Sequence, residues 1–192
     1  MTVTLDQETH IYKTDDGREM PSVSRILEST GVRDVYRGDP IYGVRGKWIH
    51  RATELVDAGD LDWEQAERDQ PEWVPYVRAY ELFLKENTVE IVATEEIVWS
   101  ETWWYAGTCD RRCLLNGIPC RLDLKSGQPS RSHVVQIALY DATNPENRHD
   151  LRPVYLRKDG SYRAPPVPMI DQEEARRVGL WAAGITRWRL RA

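Results

Sequence analysis

Asn116-Gly117 lies between two runs in which apolar and polar residues alternate, and it is the favoured pair for a two-residue type I′ turn. A turn there fixes the register of the whole stretch YAGTCDRRCLLNGIPCRLDLKSG, residues 105–127. Leu115 faces Ile118, Cys113 faces Cys120, Arg112 faces Arg121 and Asp110 faces Asp123, and facing residues point to one side of a sheet. One side then collects Cys109, Cys113, Leu115, Ile118, Cys120, Leu122 and Leu124, a core face with Arg111 as its misfit. The other side collects Asp110, Arg112, Arg121, Asp123 and Lys125. Pair types alternate from a hydrogen-bonded pair beside the turn, so Leu114–Pro119 and Asp110–Asp123 are both non-hydrogen-bonded. Pro119 loses no bond within this hairpin, and the two aspartates are expected about 4.5 Å apart at Cα.

Two carboxylates held that close repel, and a divalent cation between them reverses the sign of the interaction. Hard carboxylate oxygens suit Mg²⁺ or Mn²⁺, ions that keep waters and accept a phosphate oxygen. Lys125 lies two residues beyond Asp123 on the same face, where it can orient or deprotonate a water. The set suits phosphodiester hydrolysis; the alternative is a surface patch of Asp–Lys–Arg salt bridges. Arg112 and Arg121 face each other beside the acids, and like charges in that position call for an anion. That anion is expected to be a DNA phosphate at the mouth of the site, or else a nearby Glu.

Elsewhere the pattern predicts a small hairpin over 9–20 around Asp16-Gly17, then a short helix from 23 to 30 capped by Ser22 and stopped by Gly31. A helix over 41–58 carries the apolar stripe Ile41, Val44, Trp48, Ala52, Leu55. His50 falls opposite that stripe, with Gly43, Gly46 and Glu54; it is either a site residue or an exposed imidazole. A helix over 71–86 opens with Pro71. Strands follow over 89–99 and 103–125, then a helix over 132–143, on which Gln136 and Tyr140 share a face. A hairpin around Asp159-Gly160 spans 152–168, and Asp171 with Glu174 forms a capping-box start to a last helix. The expected fold is one α/β domain over 1–192, a central mixed β-sheet flanked by helices, with the C-terminal hairpin and helix at 152–192.

Net charge is −5, yet residues 57–72 alone hold seven acids and one Arg, so the remainder is close to neutral. Residues 176–192 carry five Arg and no acid. The acidic run reads as a solvated loop, and an acidic chain of this kind can still present a basic working face. Three cysteines with no CxxC pair read as buried free thiols in a reducing compartment. No apolar run reaches the roughly 18 residues of a bilayer span, and the opening MTVTLDQETH lacks a basic patch followed by an apolar stretch. A cytoplasmic protein with no membrane partner is therefore expected.

Gly107-x-x-Asp110 followed by Asp123-Leu124-Lys125-Ser126-Gly127 resembles the PD-(D/E)XK nuclease superfamily. Gln136-x-x-x-Tyr140 is similar to the Q-x-x-x-Y motif of its RecB-like, phage-exonuclease-like branch, and Gly46-x-x-x-His50 with Glu54 to that branch's early histidine motif. Thr94-Glu95, before Tyr105-Ala106-Gly107, also fits the pattern. The motifs span 46–140. The resemblance implies a restriction-endonuclease-like core in which Asp110, Asp123, the Leu124 carbonyl and His50 bind Mg²⁺ or Mn²⁺, and Lys125 positions the water. It further implies that Gln136 and Tyr140 contact the DNA backbone or hold the lysine, and that Glu95 and Glu54 are accessory. Asp123 replaces the commoner Glu, and three cysteines exclude the four-cysteine iron–sulfur cluster of some members. No GxxxxGK[ST] helicase motif occurs.

The function implied is a metal-dependent deoxyribonuclease, an exonuclease acting on linear DNA ends in recombination or repair, in a bacterial cell or a phage-infected host. It would act alone, as a homo-oligomer or beside a recombination partner. The alternatives are a module of the same fold that grips DNA ends without cutting, and an adaptor docking through the last helix with Trp181 and Trp188.

Overall fold

The computed structural model describes residues 1–35 and 39–190. A small antiparallel sheet comes first, β1 (Val3–Asp6), β2 (Ile11–Thr14) and β3 (Glu19–Met20), with Gly17 at φ +82° in the expected turn. Helix α1 (Val23–Ser29) starts where the Ser22 side chain accepts from the Arg25 amide. Helix α2 (Ile41–Ala58) matches its predicted span and ends on Gly59 in the left-handed region. The acidic run is not simply a loop: it holds the end of α2 and a helix, α3 (Trp63–Asp69), whose N-cap Asp62 accepts from the Gln65 amide. Helix α4 (Val74–Glu86) begins later than predicted, with Pro75 rather than Pro71 in its first turn.

The main sheet contains β4 (Val89–Ser100), β5 (Tyr105–Leu115), β6 (Ile118–Lys125), β7 (Asp150–Leu156) and β8 (Tyr162–Arg163), in that spatial order. Only β6 and β7 pair in parallel, and α5 (Arg131–Asp141) is the crossover that parallel neighbours require. Helix α6 (Met169–Leu190) closes the described chain; it starts at Met169, so Asp171 lies in its first turn rather than at its cap. The protein is thus an α/β fold, a mixed sheet with helices on both faces. No helix among the described residues is long and apolar enough to cross a membrane.

One face of the sheet packs against α1, α5 and α6 through Ile26, Leu27, Tyr105, Ile137 and Leu139. The other packs against α2 and α4 through Ile49, Tyr80, Phe83, Leu122 and Val154. Each such fully buried side chain contributes about 1.5–3 kcal/mol. The β5–β6 register is the predicted one over five pairs, from Leu115–Ile118 to Arg111–Leu122. The face assignment holds for Cys113, Leu115, Cys120, Leu122 and Leu124, but Ile118 is exposed and Cys109 falls on the other face. Cys113 and Cys120 lie in the α2/α4 core, whereas Cys109 lies in the α1/α5/α6 core, so the alternation slips between them. The slip sits at Glu95 and Asp110. Pairing runs Thr94–Arg111 and Glu96–Cys109, the pair between is missing, and Glu95 takes φ +48°. A sequence pattern of period two cannot anticipate a phase change made by one left-handed residue.

Arg111 keeps the face of Cys113 and Leu122 that the alternation predicts, and is completely buried against α2 and α4. Its Nε is bonded to Asp57, its Nη2 lies 3.2 Å from Thr53 Oγ1, and the Tyr80 hydroxyl donates to Asp57 at 2.7 Å. The apolar stripe expected on α2 is corrected accordingly. Ile41 and Val44 are exposed, and the buried face is Ile49, Ala52 and Thr53, because only the C-terminal half of α2 meets the sheet. Asp57→Ala strands the Arg111 charge in the core and is expected to destabilise the fold by about 3–5 kcal/mol in urea denaturation.

Candidate metal centre

The site lies where the sheet loses its regularity. Beyond Arg111–Leu122 the β5–β6 ladder ends, and the Leu124 amide donates to Asp110 Oδ2 at 2.6 Å. The side chain of Asp110 therefore takes a main-chain donor of β6, which fixes the carboxylate at the point where the strands part. Its other oxygen, Oδ1, is 3.6 Å from His50 Nδ1 on α2. Glu95 Oε1 is 3.7 Å from the same nitrogen. His50, Glu95 and Asp110 each offer a ligand atom, and these atoms lie within 4.8 Å of one another.

Buried Arg111 organises this group. Its Nη1 donates to the Asp110 carbonyl at 2.7 Å and lies 3.4 Å from Glu95 Oε1. The misfit of the sequence pattern is thus the residue that ties two candidate ligands to α2. The signal for it was present, since a charge on an apolar face beside a candidate ligand demands a partner.

Asp123 is not part of the three-residue group. It is fully buried, its Oδ2 is 2.6 Å from Lys125 Nζ, and its Oδ1 accepts from Gln136 Nε2 at 3.4 Å. Gln136 Nε2 also donates to the Tyr140 hydroxyl at 2.8 Å. Gln136 and Tyr140 are buried and hold Asp123, which holds the lysine. Burial keeps the Asp123 carboxyl above the usual carboxylate range; Lys125 pulls it down and the charge of Asp110 pushes it up, so the two aspartates sense each other. The charge of Asp110 also raises His50, from 6.5 to about 9, against the cost of burial.

Gly107 has a role no turn requires. A Cβ there would sit 2.5 Å from Tyr140 Cε1 and 3.0 Å from Val23 Cγ2. The glycine lets α5 seat the Tyr140 ring directly on β5, under the Gln136–Asp123 chain.

Other expected site residues lie elsewhere. Glu54 turns to Arg51 at 2.8 Å and does not join the ligand group. Arg112 and Arg121 do have an anion between them, but it belongs to the chain: Glu96 Oε1 is 2.9 Å from Arg112 and Oε2 is 3.1 Å from Arg121. Arg121 is buried and also lies 3.7 Å from Asp141, so the expected grip on a DNA phosphate gives way to an internal ion cluster. Leu124 contributes its amide to Asp110.

Neither a scan against models of known protein families nor a search of curated proteins finds a match to this chain.

The donor chemistry fits a hard or borderline divalent ion. Two carboxylates and one imidazole converge, and beside them the buried acceptor Gln136 Oε1 has no hydrogen-bond donor among the described residues. His50, Glu95 and Asp110 would hold the ion, with Asp123 adjoining.

Two predictions follow from this geometry. Gly107→Ala overpacks Tyr140 and is expected to cost about 1–3 kcal/mol in thermal or urea melts. The His50–Asp110 interaction raises the folded-state pKa above 6.5, so in EDTA its stabilisation is full below pH 6.5 and is lost as pH rises through about 9. Urea midpoints of wild type and His50→Gln should therefore converge across that window; a pH-independent difference would contradict the pairing.

Proposed function

We propose that this chain is a divalent-metal-dependent DNA nuclease of the PD-(D/E)XK kind, hydrolysing phosphodiester bonds. One observation carries the reading. His50 from α2, Glu95 from β4 and Asp110 from β5 converge at the break in the sheet, beside an Asp123–Lys125 ion pair contributed by β6. Residues far apart in sequence meet there, with Asp110 held at its carbonyl by Arg111 and at its carboxylate by the Leu124 amide. Surface salt bridges do not need such anchoring.

Mg²⁺ or Mn²⁺ bound there would supply Lewis acidity toward a phosphate oxygen and a lowered pKa for water. The chain's own residues do the rest. Asp123 pins the Lys125 ammonium, which can hold a water or stabilise charge on the phosphate. Gln136 and Tyr140 set the height of Asp123, and Gly107 sets the height of Tyr140. Arg111 keeps Glu95 and Asp110 in place while its own charge is spent on Asp57. The preference for linear ends and the exonuclease mode come from the resemblance of the motifs, as does a role in recombination or repair.

Labelled linear DNA incubated with Mg²⁺ or Mn²⁺, with and without EDTA, tests the reading. Mononucleotide release that needs the metal is expected. Asp110→Asn and Lys125→Ala should each lower the rate by about 10²–10⁴. A gel shift without cleavage would leave a DNA-binding module instead, and cleavage that persists in EDTA and in Asp110→Asn would remove the site from the chemistry.

A further inference from the structure

The outer face of α6 has no partner among the described residues. Arg177, Trp181, Ile185 and Trp188 recur at spacings of four, four and three, which places them on one side of the helix. Trp181 is 67% exposed and Trp188 72%. With Trp103 they form an apolar ledge, and the helix around it is basic. Arg187 and Arg189 donate to the neutral carbonyls of Thr102 and Ser29, so their positions are fixed, and neither has an ion pair among the described residues.

The same chain carries the complement on its other side. Between α2 and α3 lies a groove of about 280 Å³ whose floor includes Trp48, Leu55 and Leu61, and whose rim carries Asp60, Asp62 and Asp69. Arg68 pairs with Asp69 and Arg78 with Glu67, but Asp60, Asp62 and Glu64 have no ion pair among the described residues. An exposed aromatic ledge with basic flanks and an apolar groove with an acidic rim match in polarity and in sign of charge.

We propose that the chain self-associates head to tail, with the Trp181–Trp188 face of one copy seated in the acid-rimmed groove between α2 and α3 of the next. The indoles fill the groove, and Arg177 and Arg189 meet the carboxylates of its rim. The contact is heterologous, because the two surfaces differ and lie on different elements; it closes into a ring or continues as a chain according to the rotation between copies. It does not depend on the nuclease reading, since neither surface contains a candidate metal ligand.

Sedimentation velocity on the full chain tests it. The weight-average mass of wild type should rise with protein concentration. Raising the salt from about 0.05 M to about 0.5 M should weaken association roughly tenfold, as expected for a few exposed charge pairs. Trp181→Ser/Trp188→Ser breaks the ledge, and Asp60→Arg/Gln65→Arg blocks the groove; all four side chains are exposed, so circular dichroism should be unchanged. Each variant alone should be monomeric, because each keeps only one half of the contact. Mixed in equal amounts, they should form a heterodimer and nothing larger, because one intact ledge then meets one intact groove. Wild type that stays monomeric at every concentration would overturn the proposal. So would a mixture that stays monomeric, or association that the groove variant leaves intact, which would mean that α6 meets its own copy.

Discussion

The guanidinium of Arg111 is the charge on which the architecture of the site depends. It is wholly enclosed, and an isolated cation there would cost several kcal/mol. Asp57, Thr53, Glu95 and the Asp110 carbonyl compensate it from α2, β4 and its own strand. One interaction therefore docks α2 on the sheet and sets the approach of His50, which lies one turn before Thr53 on the same helix. Thr53 in turn donates back to the His50 carbonyl at 2.8 Å. Packing and site geometry are the same structure seen at two scales.

The break in the sheet is the second constraint. A regular ladder would satisfy every main-chain group between β5 and β6 and leave no opening. Here a left-handed Glu95 shifts the phase of β4, the β5–β6 ladder stops, and a carboxylate replaces a carbonyl as acceptor for Leu124. Departures from regular pairing of this kind re-aim side chains. In this chain the residues at the break are the acids Glu95 and Asp110.

Much of this was legible in the sequence, and the reasons are local. The Asn116-Gly117 turn specifies its own register, so five strand pairs could be read directly. Ser22 and Gly31 mark helix ends by chemistry that acts over a few residues. What resisted was long-range. The sequence reads Asp123 as the second acid near Asp110 and Glu95 as accessory; Glu95 is the second carboxylate that converges with His50, and Asp123 adjoins the group. The arginine pair was correctly expected to need an anion, but strand pairing had not yet placed β4, so Glu96 could not be recognised as the partner. The stripe on α2 failed for the same reason: amphipathicity states which residues are apolar, not how much of the helix the sheet will cover.

A divalent cation is proposed to bind at the meeting point of α2, β4 and β5. A crystal soaked in Mn²⁺ and measured at the manganese absorption edge would address it directly. An anomalous peak within bonding distance of Asp110 and His50, lost in an Asp110→Asn crystal, is the expected result. A fully soaked crystal with no peak there, or with its peak elsewhere, would contradict it.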